Sequence, residues 1–260
     1  MFESLKFYGK LSLMSIREEF SSLSATLAGL ILYPCFIWIF SKLWLGLNND
    51  YSSLGHNHLF AYIGLTEILF MTVLREPLID KACNDFSLSF VRPRSWFACT
   101  YLSIFSRTIF RRLVYLLIFI LIIPIYIGEV GFVINSAFRF LLLLPLITFL
   151  DSFYSFIITC SQVRFFVVRN MRMLIGKLFL IFGGVLAPLS DLPEPWNKFF
   201  LNLPFSDFIF QPCYFAIQNE FYQMLPWQWL ARISIQCLCL ILVSVFVYNN
   251  SRQYYHNFGG

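Results

Sequence analysis

Apolar residues in this chain come in long unbroken runs, and charged or proline-rich stretches separate those runs. "LVYLLIFILIIPIYIG" (Leu113–Gly128) holds no charged residue at all. A helix that crosses the hydrocarbon of a bilayer needs roughly 20 mostly apolar residues. A transmembrane barrel would instead show segments of about ten residues with alternating polarity, and the chain does not read that way. The pattern predicts six helical spans: Ser22–Leu45, His58–Leu74, Arg112–Phe132, Ala137–Gln162, Met173–Leu189 and Trp227–Asn249. The fold class is all-α and polytopic, with one membrane domain over residues 1–260.

Composition points the same way. Of 260 residues, 13% are charged, against about 25% in an ordinary soluble domain, and 32 are phenylalanine. The start, "MFESLKFYGKLSLMSIREEF", mixes charge with apolar residues and lacks the clean apolar core of a signal peptide, so the N-terminal segment is expected to stay in place. The seven cysteines form no paired C-x-x-C. They read as small core hydrophobes, with no structural disulfide expected, because only Cys213 falls clearly on the outer side.

Charge then orients the spans. Lys and Arg collect in cytosolic segments. Lys42, Arg139, Lys198 and Arg232 fall on one face of the predicted topology; the remaining Lys and Arg of the total of 19 fall on the other. Both termini are therefore expected in the cytosol. The same asymmetry accounts for the net charge of +5 without a nucleic-acid partner. Residues 1–21 read as an interfacial helix that puts Lys6, Lys10 and Arg17 close together with Leu5, Tyr8 and Leu11 beside them. Glu18 and Glu19 do not fit that stripe. Residues 250–260, with His256, read as a mobile cytosolic tail.

Two segments break the apolar pattern. Residues 75–111 form a long cytosolic loop. Within it "REPLIDKACNDF" predicts a short helix with Ile79, Cys83 and Phe86 on one face, leaving Asp80, Lys81 and Asp85 for solvent or a partner. Pro93 ends that helix at Arg92, and "SWFACTYLSIFSRTIFRR" then suits a second helix at headgroup level, with Trp96 and Tyr101 at the interface. Beyond the fifth span, "GGVLAPLSDLPEPWNKFFLNLPFSDFIFQPCYF" (Gly183–Phe215) is rich in Phe and Leu but carries Pro188, Pro193, Pro195, Pro204 and Pro212. Straight helices across it are excluded. An apolar segment too broken to span is expected as a re-entrant hairpin or as short helices at the outer leaflet.

These two segments together resemble the permease subunits of the ABC type-2 exporter family over nearly the whole chain. In one branch of that family the loop carries a glycine–acid–x–acid stretch, an aromatic and aliphatic pair, and Arg-Pro. Here "NDFSLSFVRP" puts Asp85 on the first acid and Arg92-Pro93 on the final pair, with Asn84 in place of the glycine and Ser87 in place of the second acid. The same branch carries G-x-x-x-P-x-x-x-x-P after the fifth span, matched by Gly184, Pro188 and Pro193. The resemblance implies a cytosolic coupling helix between spans two and three, with Ile79, Asp80, Lys81, Asp85, Phe86 and Arg92 meeting a separate ATPase dimer. It also implies a second permease copy, identical or similar, and a bacterial plasma (inner) membrane. ATP and Mg²⁺ would be bound by the ATPase, and no cofactor by this chain. The absence of G-x-x-x-x-G-K-[ST] agrees with a subunit that does not itself hydrolyse ATP.

Ionisable residues inside spans are costly and mark functional positions by default. Glu67 and Asp151 are such residues, expected with Pro188 and Pro193 at a translocation path or gate. Ser152 and Ser155 are the polar neighbours that would make Asp151 structural instead. A polytopic enzyme acting on lipid or lipid-linked substrates is the alternative, with Glu67 and Asp151 as acid and base, but no nucleophile or metal cluster accompanies them. His56 and His58 lack an evident third metal ligand. A secondary transporter would show inverted repeats, and residues 1–130 and 131–260 share no convincing similarity.

Overall fold

The computed structural model describes residues 2–21, 23–46, 55–73, 95–164, 168–218 and 227–258. Every regular element among them is helical. In chain order they are α1 (Phe2–Ser21), α2 (Leu23–Gly46), α3 (His56–Thr72), α4 (Trp96–Ile127), α5 (Val130–Arg164) and α6 (Val168–Phe182). A 3-10 turn (Leu189–Asp191) follows, then α7 (Trp196–Leu201), α8 (Pro204–Phe208), α9 (Phe210–Ile217) and α10 (Trp227–Phe258). Among the described residues, three helical stretches are long and apolar enough to cross a membrane: Trp96–Ile127, Val130–Ser161 and Trp227–Gln253.

Helix α5 is the spine, packed on α3, α4, α6, α9 and α10. Its most apolar window is 61% buried, against 11% for α10, which lies at the edge. On α10 the exposed residues Ile235, Leu238, Leu242 and Phe246 recur at three- and four-residue steps, and on α4 Leu113, Leu117, Leu121 and Ile125 do the same. Such spacing lines up one side of a helix. Continuous apolar stripes facing outward suit lipid, since soluble monomers rarely expose patches of that extent. The opposite side of α4, with Tyr115, Phe119 and Ile123, is buried in the bundle.

One close approach organises the centre. The Tyr33 hydroxyl donates to the Gly64 carbonyl at 2.9 Å. A Cβ at Gly64 would stand 2.7 Å from the Phe119 ring. Glycine therefore lets α3 sit against α4 at a distance that no side chain would permit.

Several boundaries differ from the hydropathy pattern. The headgroup-level helix expected over residues 95–112 is the first half of α4, continuous with the third span. No proline or glycine interrupts it before Pro124, and its arginines meet acids, so the helix has no need to end for water to reach them. Ser95 caps it by accepting from the Ala98 amide at 3.4 Å, and Gly128 ends it at φ 77°. Helix α6, which corresponds to the fifth predicted span, stops at Phe182, short of Leu189, because the chain turns at Gly184 with φ 76°. The segment expected as a mobile tail is helical to Phe258. There the Ser251 hydroxyl donates to the Cys160 carbonyl at 2.9 Å, and Tyr248 stacks on Trp96 with centroids 5.7 Å apart.

Candidate functional site

The bundle has two ends, one at Gly128, where α4 gives way to α5, and one at Trp96. Helix α1 docks along the Trp96 half of α4. Ser15 and Ser103 hydroxyls lie 2.9 Å apart, the Arg107 guanidinium donates to Glu18, and Arg111 donates to Glu19 through Nη2 at 2.6 Å. The two acids that spoil the basic stripe of α1 are thus the residues that fasten it to α4. Lys6, Lys10 and Arg17 remain exposed, as an interfacial helix requires.

One residue further along α4, on a different side of the helix, Arg112 is fully buried. The loop-edge position expected for it gives way to a place inside the bundle. Its Nε donates to Thr72 Oγ1 at 3.1 Å, Nη1 to Thr148 Oγ1 at 2.9 Å, and Nη2 to Asp151 Oδ2 at 2.8 Å. Its guanidinium carbon lies 5.8 Å from the centre of the Phe208 ring, a cation–π distance. One side chain of α4 thereby ties together the end of α3, the middle of α5 and the broken segment after α6. Arg112 stands 16 residues before Gly128, roughly 24 Å along the helix. Ser152, named as a neighbour of Asp151, turns its Oγ to the Thr148 carbonyl at 2.7 Å, while Asp151 Oδ2 accepts from Arg112.

Glu67, near the middle of α3, is 1% exposed. Its Oε2 has no hydrogen-bond partner among the described residues. A buried carboxylate oxygen without a donor is costly, so it stands out as a position that packing does not explain.

The segment after α6 folds back into the bundle at the Gly128 end. Tyr62 of α3 donates its hydroxyl to the Gly184 carbonyl at 2.5 Å. Pro188 begins the 3-10 turn, and the Pro193 carbonyl accepts from the Trp196 and Asn197 amides at the start of α7. Pro204 opens α8, where a missing amide hydrogen is harmless. Phe205 and Phe208 of α8 pack on Phe179 of α6, and Phe208 also meets Tyr154 of α5. The prolines break the segment into short pieces, and the aromatic rings bury those pieces.

A second charged cluster lies here. Asp207 is 1% exposed. Its Oδ1 is 3.2 Å from Arg232 Nη2 of α10, and its Oδ2 accepts from Gln236 Nε2 at 2.8 Å. Burial pushes the Asp207 carboxyl up to about 6, against the opposing pull of Arg232 and Gln236. A cavity of about 450 Å³ adjoins this cluster, bounded by the 3-10 turn, α7, α9, Gln218 and the first turns of α10.

Ile79, Asp80, Lys81, Asp85, Phe86 and Arg92 lie outside the described residues. Among the described residues no group of three or more His, Cys, Asp or Glu side chains could hold a metal. His58 is packed edge-on to Phe132. None of the described cysteines is joined in a disulfide, and Cys213 and Cys160 are buried.

Comparison of the chain with known protein families and with curated proteins finds no match.

Proposed function

We propose that the chain is the membrane-spanning permease subunit of an ATP-binding cassette exporter in a bacterial plasma membrane. Six helices cross the bilayer: α2 to α6 and α10. Both termini and the Trp96 end face the cytosol, and the Gly128 end faces outward. The short α3 and α6 need not reach the full depth alone, because the outer segment fills the space beyond α6. Two permease copies, identical or similar, enclose the path. A separate ATPase dimer supplies ATP and Mg²⁺ binding.

The observation that carries this reading is the outer segment. It is the proline-broken stretch on which the family resemblance is most specific. It is also wedged between α3, α5, α6 and α10 through Gly184, Phe208 and Asp207. A broken, aromatic-packed plug at one end of a bundle is suited to closing a path and to shifting when the surrounding helices tilt.

Helix α4 supplies the link between motor and plug. It runs 32 residues without interruption, roughly 48 Å, from the end of the proposed docking loop to the outer turn. Closure of the ATPase pair pushes the segment containing Ile79, Asp80, Lys81, Asp85, Phe86 and Arg92. The push reaches α4 at Trp96, and α1 moves with it through the Glu18 and Glu19 contacts. Arg112 then conveys the motion to α5 and Phe208. The ATPase must contact the two states differently for this to work. Glu67, buried and with Oε2 lacking a hydrogen-bond partner among the described residues, is the position proposed to meet the path when it opens.

The test is purification of the tagged chain from its native membrane. A co-purifying nucleotide-binding protein with Mg²⁺-dependent ATPase activity is expected. Joint charge reversal at Asp80, Lys81 and Asp85 should abolish coupled transport while the chain still inserts; coupled transport at the wild-type rate in that variant would remove the docking role. Chemistry carried out by the chain alone, and lost in Glu67→Gln, would point to a membrane enzyme instead.

A further inference from the structure

Helices α2, α3 and α6 leave a cleft between them in the Trp96 half of the bundle. Helix α3 starts beside the Gly128 turn, where Asn57 donates to Glu129 at 3.0 Å. Its last residues, which line the cleft, therefore lie away from that turn. Helix α5 reaches the other end at Phe156, whose ring is 5.8 Å from that of Trp96, so α6 begins near that end. The cleft encloses about 450 Å³, within the range of roughly 300–1,000 Å³ typical of small-ligand sites.

Most of the lining is apolar, with Leu32 from α2, Phe70 and Met71 from α3, and Leu180 from α6. Two glycines keep the space open. Gly29 and Gly176 face it from α2 and α6, and a Cβ at Gly176 would meet no atom within 4 Å. Leu32 and Met173, also on its wall, are exposed, as are Ile31 and Leu174 beside them. The cleft thus opens onto an apolar face of the bundle that a bilayer would cover.

Charge narrows the occupant. Arg172 and Lys177 line the same cleft, the first half-buried and the second exposed, so a molecule inside it can reach both. No carboxylate is among the described lining residues, and Lys177 forms no ion pair with a described residue. The two cations stand roughly 6 and 14 Å along α6 from Val168, and a lysine stem can run back along the helix towards the headgroups. A soluble anion would use the cations and leave the apolar walls unfilled. A neutral lipid would fill the walls and leave the cations unmatched. Basic pockets between spans on the cytosolic side suit anionic headgroups.

We propose that this cleft holds one anionic phospholipid of the cytosolic leaflet, with its phosphate at Arg172 and Lys177 and an acyl chain along Leu32, Met71 and Leu180. The flexible Met71 side chain suits a mobile chain. The inference rests on the membrane orientation proposed above and goes beyond it: the lipid is a resident of the fold and not cargo, and its binding needs no ATPase.

The experiment uses the full chain in a neutral detergent, titrated with dioleoyl phosphatidylglycerol, dioleoyl phosphatidylcholine or inorganic phosphate, with bound molecules counted by native mass spectrometry. One phosphatidylglycerol per chain is expected, held about tenfold more tightly than phosphatidylcholine, and no bound phosphate. Gly176→Leu fills the cleft and puts a better helix former in place of glycine. It should weaken phosphatidylglycerol about tenfold without lowering the melting temperature. Arg172→Gln with Lys177→Gln should erase the preference between the two lipids. Lys6→Gln with Lys10→Gln takes the same charge from the exposed face of α1 and should change neither affinity. Equal affinity for the two lipids in the wild type, phosphatidylglycerol binding unchanged in both cleft variants, an equal loss in the α1 variant, or saturable binding of phosphate would overturn the inference. So would loss of self-association in Gly176→Leu with lipid binding intact, which would seat a second copy of the chain in the cleft. If Gly176→Leu does not fold, the Arg172 and Lys177 variant decides alone. None of these outcomes bears on whether an ATPase co-purifies, so the two proposals fail separately.

Discussion

The ion pair of Arg112 with Asp151 and that of Arg232 with Asp207 use the same chemistry in different surroundings. In the first, both side chains are sealed, at 0% and 1% exposure, and the guanidinium is also met by two threonines and the Phe208 ring. In the second, the acid is equally buried, but Arg232 is 36% exposed and borders a cavity. Arg232 Nε and Gln218 Oε1 also remain without partners among the described residues. A sealed network of this kind holds helices in place. An open one leaves its arginine within reach of solvent. The bundle thus carries a sealed joint at the depth of Arg112 and a part-exposed ion pair towards its Gly128 end.

Breaking the sealed joint should have the largest effect. Arg112→Leu leaves Asp151 buried without its cation, a change that costs about 3–5 kcal/mol in comparable pairs. Thermal unfolding in nanodiscs should show a large loss of stability, and Arg112→Leu with Asp151→Leu should recover most of it. Equal damage in the single and double variants would mean that the threonine contacts, and not the pair, hold the joint.

The clamp between α1 and α4 comes next. Glu19→Gln removes the charge facing buried Arg111, with an expected loss of about 1.5–3 kcal/mol. Proteolysis should then release the α1 segment sooner than in the wild type. Glu18 is half exposed, so the matching change Glu18→Gln is expected to cost only about 0.2–1 kcal/mol. Similar losses at the two sites would argue that burial does not set the strength of this clamp.

A subtler effect sharpens the contrast at the open pair. The Asp207 carboxyl is raised by burial to about 6 in the folded protein, above its ordinary value near 3.8. The folded state then holds the proton more tightly than the unfolded chain. Stability from this group is complete below the ordinary value and is lost as the pH rises through 6. The melting temperature should therefore fall between pH 5 and pH 7 by more in the wild type than in Asp207→Asn. Parallel pH profiles for the two would show that this carboxylate is less shielded than its burial implies.

What the sequence revealed follows from which features are local. Runs such as Leu113–Gly128 register in hydropathy alone, and the three longest crossing helices appear where those runs lie. Prolines act on their own stretch of chain, so the fragmentation of Gly183–Phe215 into α7, α8 and α9 was visible residue by residue. Gly184 read as part of a motif, and its positive φ gives that motif a physical reason. Pairings across helices were not legible. Glu18 and Glu19 looked like flaws in an interfacial helix because their partners, Arg107 and Arg111, stand about ninety positions away. Arg112 was counted with the loop cations because hydropathy cannot tell a cation at a span's edge from one buried against Asp151. Asp207, Gln218 and Arg232 escaped notice as a set for the same reason. A carboxylate and an amide within an apolar, proline-rich stretch, with an arginine early in the next span, were the signals available.

The central claim is that the loop before α4 faces the cytosol and receives the motor. The direct measurement is labelling of Cys83, with every other cysteine replaced by serine, using a membrane-impermeant maleimide on right-side-out and inverted vesicles. The account predicts rapid labelling in inverted vesicles, protection when the ATPase is present, and no labelling from outside. Labelling confined to right-side-out vesicles would place the loop on the wrong side of the membrane for any ATP-driven partner.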